Sequence, residues 1–181
     1  MMYKVILDFC FKEVGSQQFF EKDADFDKLL IERYSELLEQ AAASELYKWR
    51  CSIEGRLAEI IILDQFSRNI YRDTPAAFAQ DSMALALAQE AVTAGALEVL
   101  ETVEARKFIL MPYMHSESKL IHQRAVTLFE QYTNADTVEA EMKHKVIIDR
   151  FGRYPHRNDI LGRVSTGEEI EFLTQPDSSF L

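Results

Sequence analysis

The sequence predicts an all-α fold, for three reasons. Apolar residues recur at spacings of three and four far more often than at two, which is the period of an amphipathic helix. Only six glycines and four prolines interrupt the 181 residues. Nine of the 21 residues from 76 to 96 are alanine, which has the highest intrinsic helix propensity. Since short connections favour antiparallel neighbours, we expect an array of helical hairpins or a bundle of about eight to nine helices.

The N-terminal part of the chain is predicted to hold three helices. The first covers roughly residues 3–12. The second begins near Asp25, because apolar residues then recur at helical spacing as far as Ala41. Ser52 is a candidate N-cap for the third helix, since its hydroxyl oxygen can accept a hydrogen bond from a free backbone N–H. The apolar stripe of that third helix leads directly onto Asp64.

The remaining helices are delimited by cap residues and helix breakers. Thr74 followed by Pro75 predicts a helix start, and this helix is expected to end at Gly95. Pro112 is expected to stop the next helix and Ser116 to cap the one after it. Gly152 is expected to act as a left-handed cap. Later helix starts are predicted near Val103, Glu117, Thr137, Asn158 and Ser165.

Length and composition restrict the class of protein. A single helical domain is predicted for residues 1–174, followed by a flexible tail at 175–181. The net charge of −10 argues against a nucleic-acid or anionic-membrane partner. Two cysteines do not make a disulfide-stapled secreted fold, and no apolar run approaches the roughly 20 residues of a membrane span. We therefore expect a cytoplasmic protein, for which the aromatic content permits a homodimer.

Three polar segments, residues 64–72, 112–117 and 150–158, precede every second helix start, those of the fifth, seventh and ninth predicted helices. If the helices alternate in direction, these segments lie at the same end of the array. Five of the eleven arginines fall in the first and third segments. Guanidinium groups gathered at one end form a locally positive site in a protein whose net charge is negative. Planar arginine suits the recognition of phosphate or carboxylate.

Asp64 and His144 are polar residues that the helical period directs inward. Asp64 lies three residues after Ile61 and seven after Leu57, on the apolar stripe. An unpaired charge there would be very costly, so Asp64 needs a partner. Arg68 is the local candidate, and Arg150, Arg153 and His144 are the remote candidates. Two interpretations remain open at this stage. Asp64 and His144 either form a buried ion pair or hydrogen bond that ties helices together, or take part in ligand chemistry.

The histidines offer metal ligands or acid–base groups. His115, Glu117, His144 and His156 could converge, yet no paired-cysteine or H-E-x-x-H spacing typical of zinc is present. A structural role would also account for two neighbouring residues. Ser116 could be an N-cap, and Glu117 could be an acidic residue in the first turn of the helix. No metal or cofactor is therefore predicted.

Three stretches carry a family resemblance: ILDQFSRNIYR at 62–72, HSE at 115–117 and RFGRYPHRN at 150–158. Together they resemble the bacterial family called domain of unknown function 924. The resemblance extends over nearly the whole chain. It implies an all-helical fold similar to the tetratricopeptide-repeat superfamily, and it implies no activity.

Two functions from different classes are compatible with the sequence. One is a binding module for an anionic small molecule or peptide group. Its predicted ligand-binding residues are Gln65, Arg68, Asn69, Arg72, Glu117, Arg150, Arg153, Arg157 and Asn158. The other is a hydrolase or transferase that acts on a phosphorylated or carboxylated metabolite. In this second hypothesis Asp64 or His144 is the general base and His115 or His156 the general acid.

Overall fold

The structure is a computed structural model that describes residues 2–176 and 178. Ten α-helical segments follow one another: α1 (Met2–Asp8), α2 (Ala24–Ala42), α3 (Ile53–Ile61), α4 (Ser67–Ile70), α5 (Asp81–Thr93), α6 (Ala96–Val99), α7 (Val103–Met114), α8 (Lys119–Tyr132), α9 (Ala135–Phe151) and α10 (Gly167–Leu173). A π-helical turn (Ile62–Phe66) joins α3 to α4, so the described residues form nine helices and no strand. The all-α prediction and the predicted number of helices are confirmed. Part of the predicted tail, residues 177 and 179–181, lies outside the described residues.

The early helix boundaries follow local capping. Asp23 accepts hydrogen bonds from the backbone N–H groups of Asp25 and Phe26 at 2.9 and 3.1 Å and so begins α2. Ser52 caps α3 as predicted, because the Gly55 N–H donates to its hydroxyl oxygen at 3.1 Å. Gly152 has the left-handed backbone conformation, with φ of 72°, and closes α9 as predicted.

Two predicted boundaries around the second polar segment are wrong. Helix α7 continues through Pro112 to Met114, since a proline in the last turn removes only one hydrogen bond and His115 N still donates to Met111 O at 3.0 Å. Helix α8 begins at Lys119, and Ser116 does not cap it. The Ser116 carbonyl instead accepts a hydrogen bond from the His122 side chain.

Two further boundaries also differ from the prediction. Thr74 does not cap a helix, because its hydroxyl donates to the Tyr71 carbonyl at 2.7 Å and a 3₁₀ turn (Pro75–Phe78) precedes α5. No helix begins at Asn158, which lies in a series of turns. The last helix, α10, starts after Thr166, where Thr166 and Glu169 form a reciprocal capping box.

The core surrounds α3. Residues 57–67 are buried without exception, and α3 packs against α1, α5 and α7. The successive helices α7, α8 and α9 pack against one another as hairpins. A smaller apolar cluster around Ile148 and Tyr154 lies under the corner that follows α9. In the described part of the chain, no helix is long and apolar enough to cross a membrane.

Candidate functional site

The three polar segments meet around one cavity of about 120 Å³, which we call the arginine cavity. Each segment contributes at least one residue to the cavity wall, among them Arg68, His115 and Arg157. Eight of the predicted site residues form part of its wall: Gln65, Arg68, Asn69, Arg72, His115, His144, His156 and Arg157. Positions up to 92 residues apart in sequence are thus brought to one place, and their contacts define its chemistry.

Asp64 lies behind the cavity wall in the π-helical turn and is 1% exposed. Its carboxylate accepts hydrogen bonds from His115 Nδ1 at 2.7 Å and from Gln65 Nε2. Arg68 Nη1 lies 3.0 Å from the same carboxylate as an ion pair and donates a hydrogen bond to the Asp64 backbone carbonyl at 2.8 Å. Burial raises the pKa of Asp64, but Arg68, His115 and Gln65 together lower it to about 2. The carboxylate is therefore ionised at neutral pH. Arg68, one of the four candidates that the sequence offered, is a partner, and His115, which was not among them, is another.

Arg68 and Arg157 share a second carboxylate, that of Asp81 at the start of α5. Arg68 Nη1 lies 2.9 Å from Asp81 Oδ1, and Arg157 Nη1 donates to Asp81 Oδ2 at 3.1 Å. Arg157 Nη2 donates to the His115 carbonyl at 3.1 Å. No acceptor within the described residues meets the buried Nε of Arg157. One donor of a buried guanidinium group thus lacks a partner in the described residues.

Aromatic rings hold Arg157 in a fixed position. Its guanidinium carbon lies 4.6 Å from the ring centroid of Phe78 and 4.6 Å from that of Tyr154. Tyr154 is fully buried and donates its hydroxyl to the Met114 carbonyl. Burial and the charge of Arg68 lower the pKa of Arg157, which remains a cation. The cavity therefore has a rigid positive wall.

His115 presents one ring nitrogen to the cavity. Because the Asp64 carboxylate only accepts hydrogen bonds, His115 Nδ1 is the protonated nitrogen, and Nε2 carries the lone pair in the neutral ring. Burial and Arg68 lower the pKa of His115 and so favour this neutral form. Nε2 makes no hydrogen bond to any residue among 2–176 and 178.

The two other histidines of the cavity are also kept neutral. His144 points inward as predicted and donates from Nδ1 to the Ala140 carbonyl at 2.7 Å. Burial lowers its pKa to about 3. Burial and Arg157 lower the pKa of His156 to about 4.

Arg72 and Asn69 line the cavity but are tied to α2. Arg72 binds both carboxylate oxygens of Asp27, and Asn69 Nδ2 donates to Asp27 Oδ1 at 3.0 Å. The side-chain oxygen of Asn69 is buried, and no described residue donates to it. Asn69 thus offers an acceptor beside the arginines.

Four predicted site residues lie outside the arginine cavity, because carboxylates or polar groups of the C-terminal corner engage them. Glu117 binds Arg163 through both oxygens and accepts from Tyr154 N at 2.7 Å. It lines a different cavity, of about 290 Å³, together with Asp81. The other three pair within the corner: Arg150 with Glu168, Arg153 with Glu169, and Asn158 with Ser165 and Arg163.

Replacing Arg153 with alanine is expected to lower the free energy of unfolding more than replacing Arg150 does, because Glu169 would lose its charged partner. The measurement is urea denaturation followed by circular dichroism. Arg150→Ala is the matched control, since the Arg150–Glu168 pair is exposed and such pairs contribute about 0–1 kcal/mol. Equal effects of the two substitutions would contradict the structural role of Arg153.

Sequence reasoning missed several partners of the site. Asp81, Phe78 and Tyr154 surround the arginines, yet none stands out in a local pattern. The buried pair His122–Glu141 was also missed, although Glu141 lies three residues before His144 on the same helix face. This spacing could have predicted that Glu141 is buried, as it did for His144.

No group of three or more histidine, cysteine, aspartate or glutamate side chains in the described ranges is arranged to hold a metal ion. The functional groups of the site are guanidinium, imidazole and carboxylate groups.

Comparison with known proteins gives a family and a fold. The model of a family described as bacterial protein of unknown function (DUF924) matches residues 6–177. A solved protein of unknown function from Agrobacterium tumefaciens is similar, with a TM-score of 0.89 and 35% identity over 95% of this chain and 96% of that one. No curated protein matches. The resemblance found in the sequence is thereby confirmed, and the chain belongs to the DUF924 family of bacterial proteins.

Proposed function

We propose that the protein binds the carboxylate or phosphate group of a small molecule or peptide in the arginine cavity. The observation that carries this proposal is the state of Arg157. Arg157 is 6% exposed, its guanidinium group shares a single aspartate with Arg68, and its Nε has no hydrogen-bond partner in the described residues. A buried donor without a partner is destabilising, and an anion would satisfy it.

The charge of the cavity wall supports the same proposal. Lys22, Arg68, Arg72 and Arg157 line the cavity, and Asp73 is the one acidic residue among the lining residues that the structure describes. This excess stands in a chain of net charge −10. Because aspartates behind the wall already bind three of these arginines, they position the guanidinium groups before a ligand arrives. A volume of about 120 Å³ suits a single anionic group, whereas pockets for drug-sized ligands measure about 300–1,000 Å³.

Binding of inorganic phosphate and of succinate, measured by isothermal titration calorimetry at low ionic strength, tests the proposal. Arg157→Lys keeps the charge but loses the planar fork, so we expect at least about tenfold weaker binding. Arg124→Ala removes an exposed arginine on α8 and is the matched control, with unchanged affinity expected. Absence of binding by the wild type, or equal weakening in both variants, would overturn the proposal.

The remaining predictions concern location, assembly and superfamily. A cytoplasmic location, a homodimer and membership of the tetratricopeptide-repeat superfamily stay predictions. Gel filtration with light scattering checks the homodimer.

A further inference from the structure

His115 lies where the arginine cavity adjoins a second cavity of about 350 Å³, which we call the outer cavity. The two cavities share His115, His144 and Phe20 in their walls. His115 also lines the third cavity beside Asp81. A ligand that extends from the arginines into the outer cavity would therefore pass the imidazole ring.

The hydrogen bonds of His115 differ from those of a structural histidine in the same protein. His122 is fully buried and uses both nitrogens, with Nδ1 2.7 Å from Glu141 and Nε2 2.9 Å from the Ser116 carbonyl. His115 has the corresponding carboxylate contact at 2.7 Å, to Asp64, but its Nε2 has no partner in the described chain. Its side chain is 11% exposed. The arrangement orients a ring whose second nitrogen is left to meet a ligand or water.

The outer cavity has a different chemistry from the arginine cavity. Met111, Met114 and Phe20 supply apolar surface, and Lys107 Nζ lies 4.2 Å from the Phe20 ring centroid. Flexible methionine side chains adapt to varied apolar groups. Glu104, Asp136 and Asn134 also lie in its wall, so the outer cavity suits an uncharged part of a molecule with both apolar and hydrogen-bonding groups, whose anionic end lies among the arginines.

We propose that the protein is a hydrolase in which His115 Nε2 is the general base that activates water against a carboxylic ester bond of an anionic substrate. This proposal rests on the proposed function, because the anion in the arginine cavity places the ester beside His115. Asp64 is a positioning residue that fixes the ring through Nδ1 and stabilises the imidazolium ion.

The reaction balances without a further reactant. Nε2 accepts a proton from water as the water oxygen bonds to the ester carbonyl carbon and the carbonyl electron pair moves to its oxygen. Collapse of this tetrahedral adduct breaks the bond to the alcohol oxygen, which takes the proton from the imidazolium ion. The products are a carboxylic acid, which ionises in solvent, and an alcohol, and His115 returns to its neutral state.

Turnover of mono-4-nitrophenyl adipate, followed by release of 4-nitrophenol, tests this step. The neutral comparison substrate is 4-nitrophenyl hexanoate, which has the same chain length without the carboxylate. We expect kcat/KM at least about tenfold higher for the anionic ester and about 100-fold lower for His115→Gln, within the range of general-base effects. His115→Ala should be partly restored by added imidazole, which a purely structural role of His115 would not produce.

Two readouts keep the outcomes distinct. If the wild type binds phosphate or succinate but its turnover does not exceed that of His115→Gln, the hydrolase proposal is wrong and the binding proposal stands. If neither anion binds, both fall. Should the His115 variants fail to fold, carbethoxylation of the wild type by diethyl pyrocarbonate is read by mass spectrometry. The proposal then requires His115 to react faster than His122 and to be protected by phosphate, and equal reactivity overturns it.

Discussion

Replacing His122 with alanine is expected to lower the free energy of unfolding by about 3–5 kcal/mol, because the change leaves a buried carboxylate without its partner. His122 and Glu141 are both fully buried, and their side chains are 2.7 Å apart. Burial raises the pKa of Glu141, which shows how unfavourable this environment is for an isolated charge. His122 Nε2 also lies 3.2 Å from the Tyr154 hydroxyl, so the loss extends to the ring that packs on Arg157.

Urea denaturation at pH 7 measures this effect, and two comparisons sharpen it. Arg33→Ala removes an exposed ion pair with Glu13 and should leave the free energy of unfolding nearly unchanged. The double variant His122→Leu with Glu141→Leu should recover much of the lost stability, because both charged partners are then replaced by apolar groups. A loss below about 1 kcal/mol for His122→Ala would contradict the structural role of the pair.

Lowering the pH from 7 to 5 is expected to reduce the free energy of unfolding by about 2–4 kcal/mol through His144 and His156. Burial lowers the pKa of His144 to about 3, and burial with Arg157 lowers that of His156 to about 4. Both values lie below the unfolded value of 6.5, so the unfolded state binds protons first as the pH falls. The stabilisation is therefore complete above pH 6.5 and is lost as the pH approaches the folded pKa values.

The magnitude follows from the width of this pH window. A pH of 5 lies about 1.5 units below the unfolded pKa of each histidine. This difference corresponds to a loss of about 2 kcal/mol in the free energy of unfolding per group. Urea denaturation at pH 7, 6 and 5 measures how the free energy of unfolding changes with pH. The wild type is compared with the double variant His144→Gln with His156→Gln. The variant should show a flatter dependence over this range, whatever its stability at pH 7. An unchanged slope would show that these histidines are not the groups that titrate.

Periodicity in the sequence predicted the helices and the burial of Asp64, because side-chain direction in a helix repeats every 3.6 residues. The partner Arg68 was found for the same reason, one turn away. Helix ends were less predictable. Ser116 and Pro112 have the residue types of a cap and a stop, yet tertiary contacts of the His122 side chain and the apolar core decided both positions.

Partners distant in sequence were beyond local reasoning. Asp81 is 76 residues from Arg157, and Asp27 is 45 residues from Arg72, so no spacing rule connects them. Arg150, Arg153 and Arg157 are close in sequence and similar in chemistry. The turn after Gly152 nevertheless directs only Arg157 to the arginine cavity, since the direction of a side chain in an irregular turn has no period.

The π-helical turn (Ile62–Phe66) sets the rotational phase of everything that follows it on the same helix. Such a turn holds one residue more than α geometry would, and one residue corresponds to about 100° around the helix axis. Re-forming the same residues as a regular α-helix, with none deleted, would rotate Arg68 about the helix axis by about 100° and swing it away from Asp81. The wider turn therefore absorbs one residue, and the orientation of Arg68 depends on its keeping this geometry.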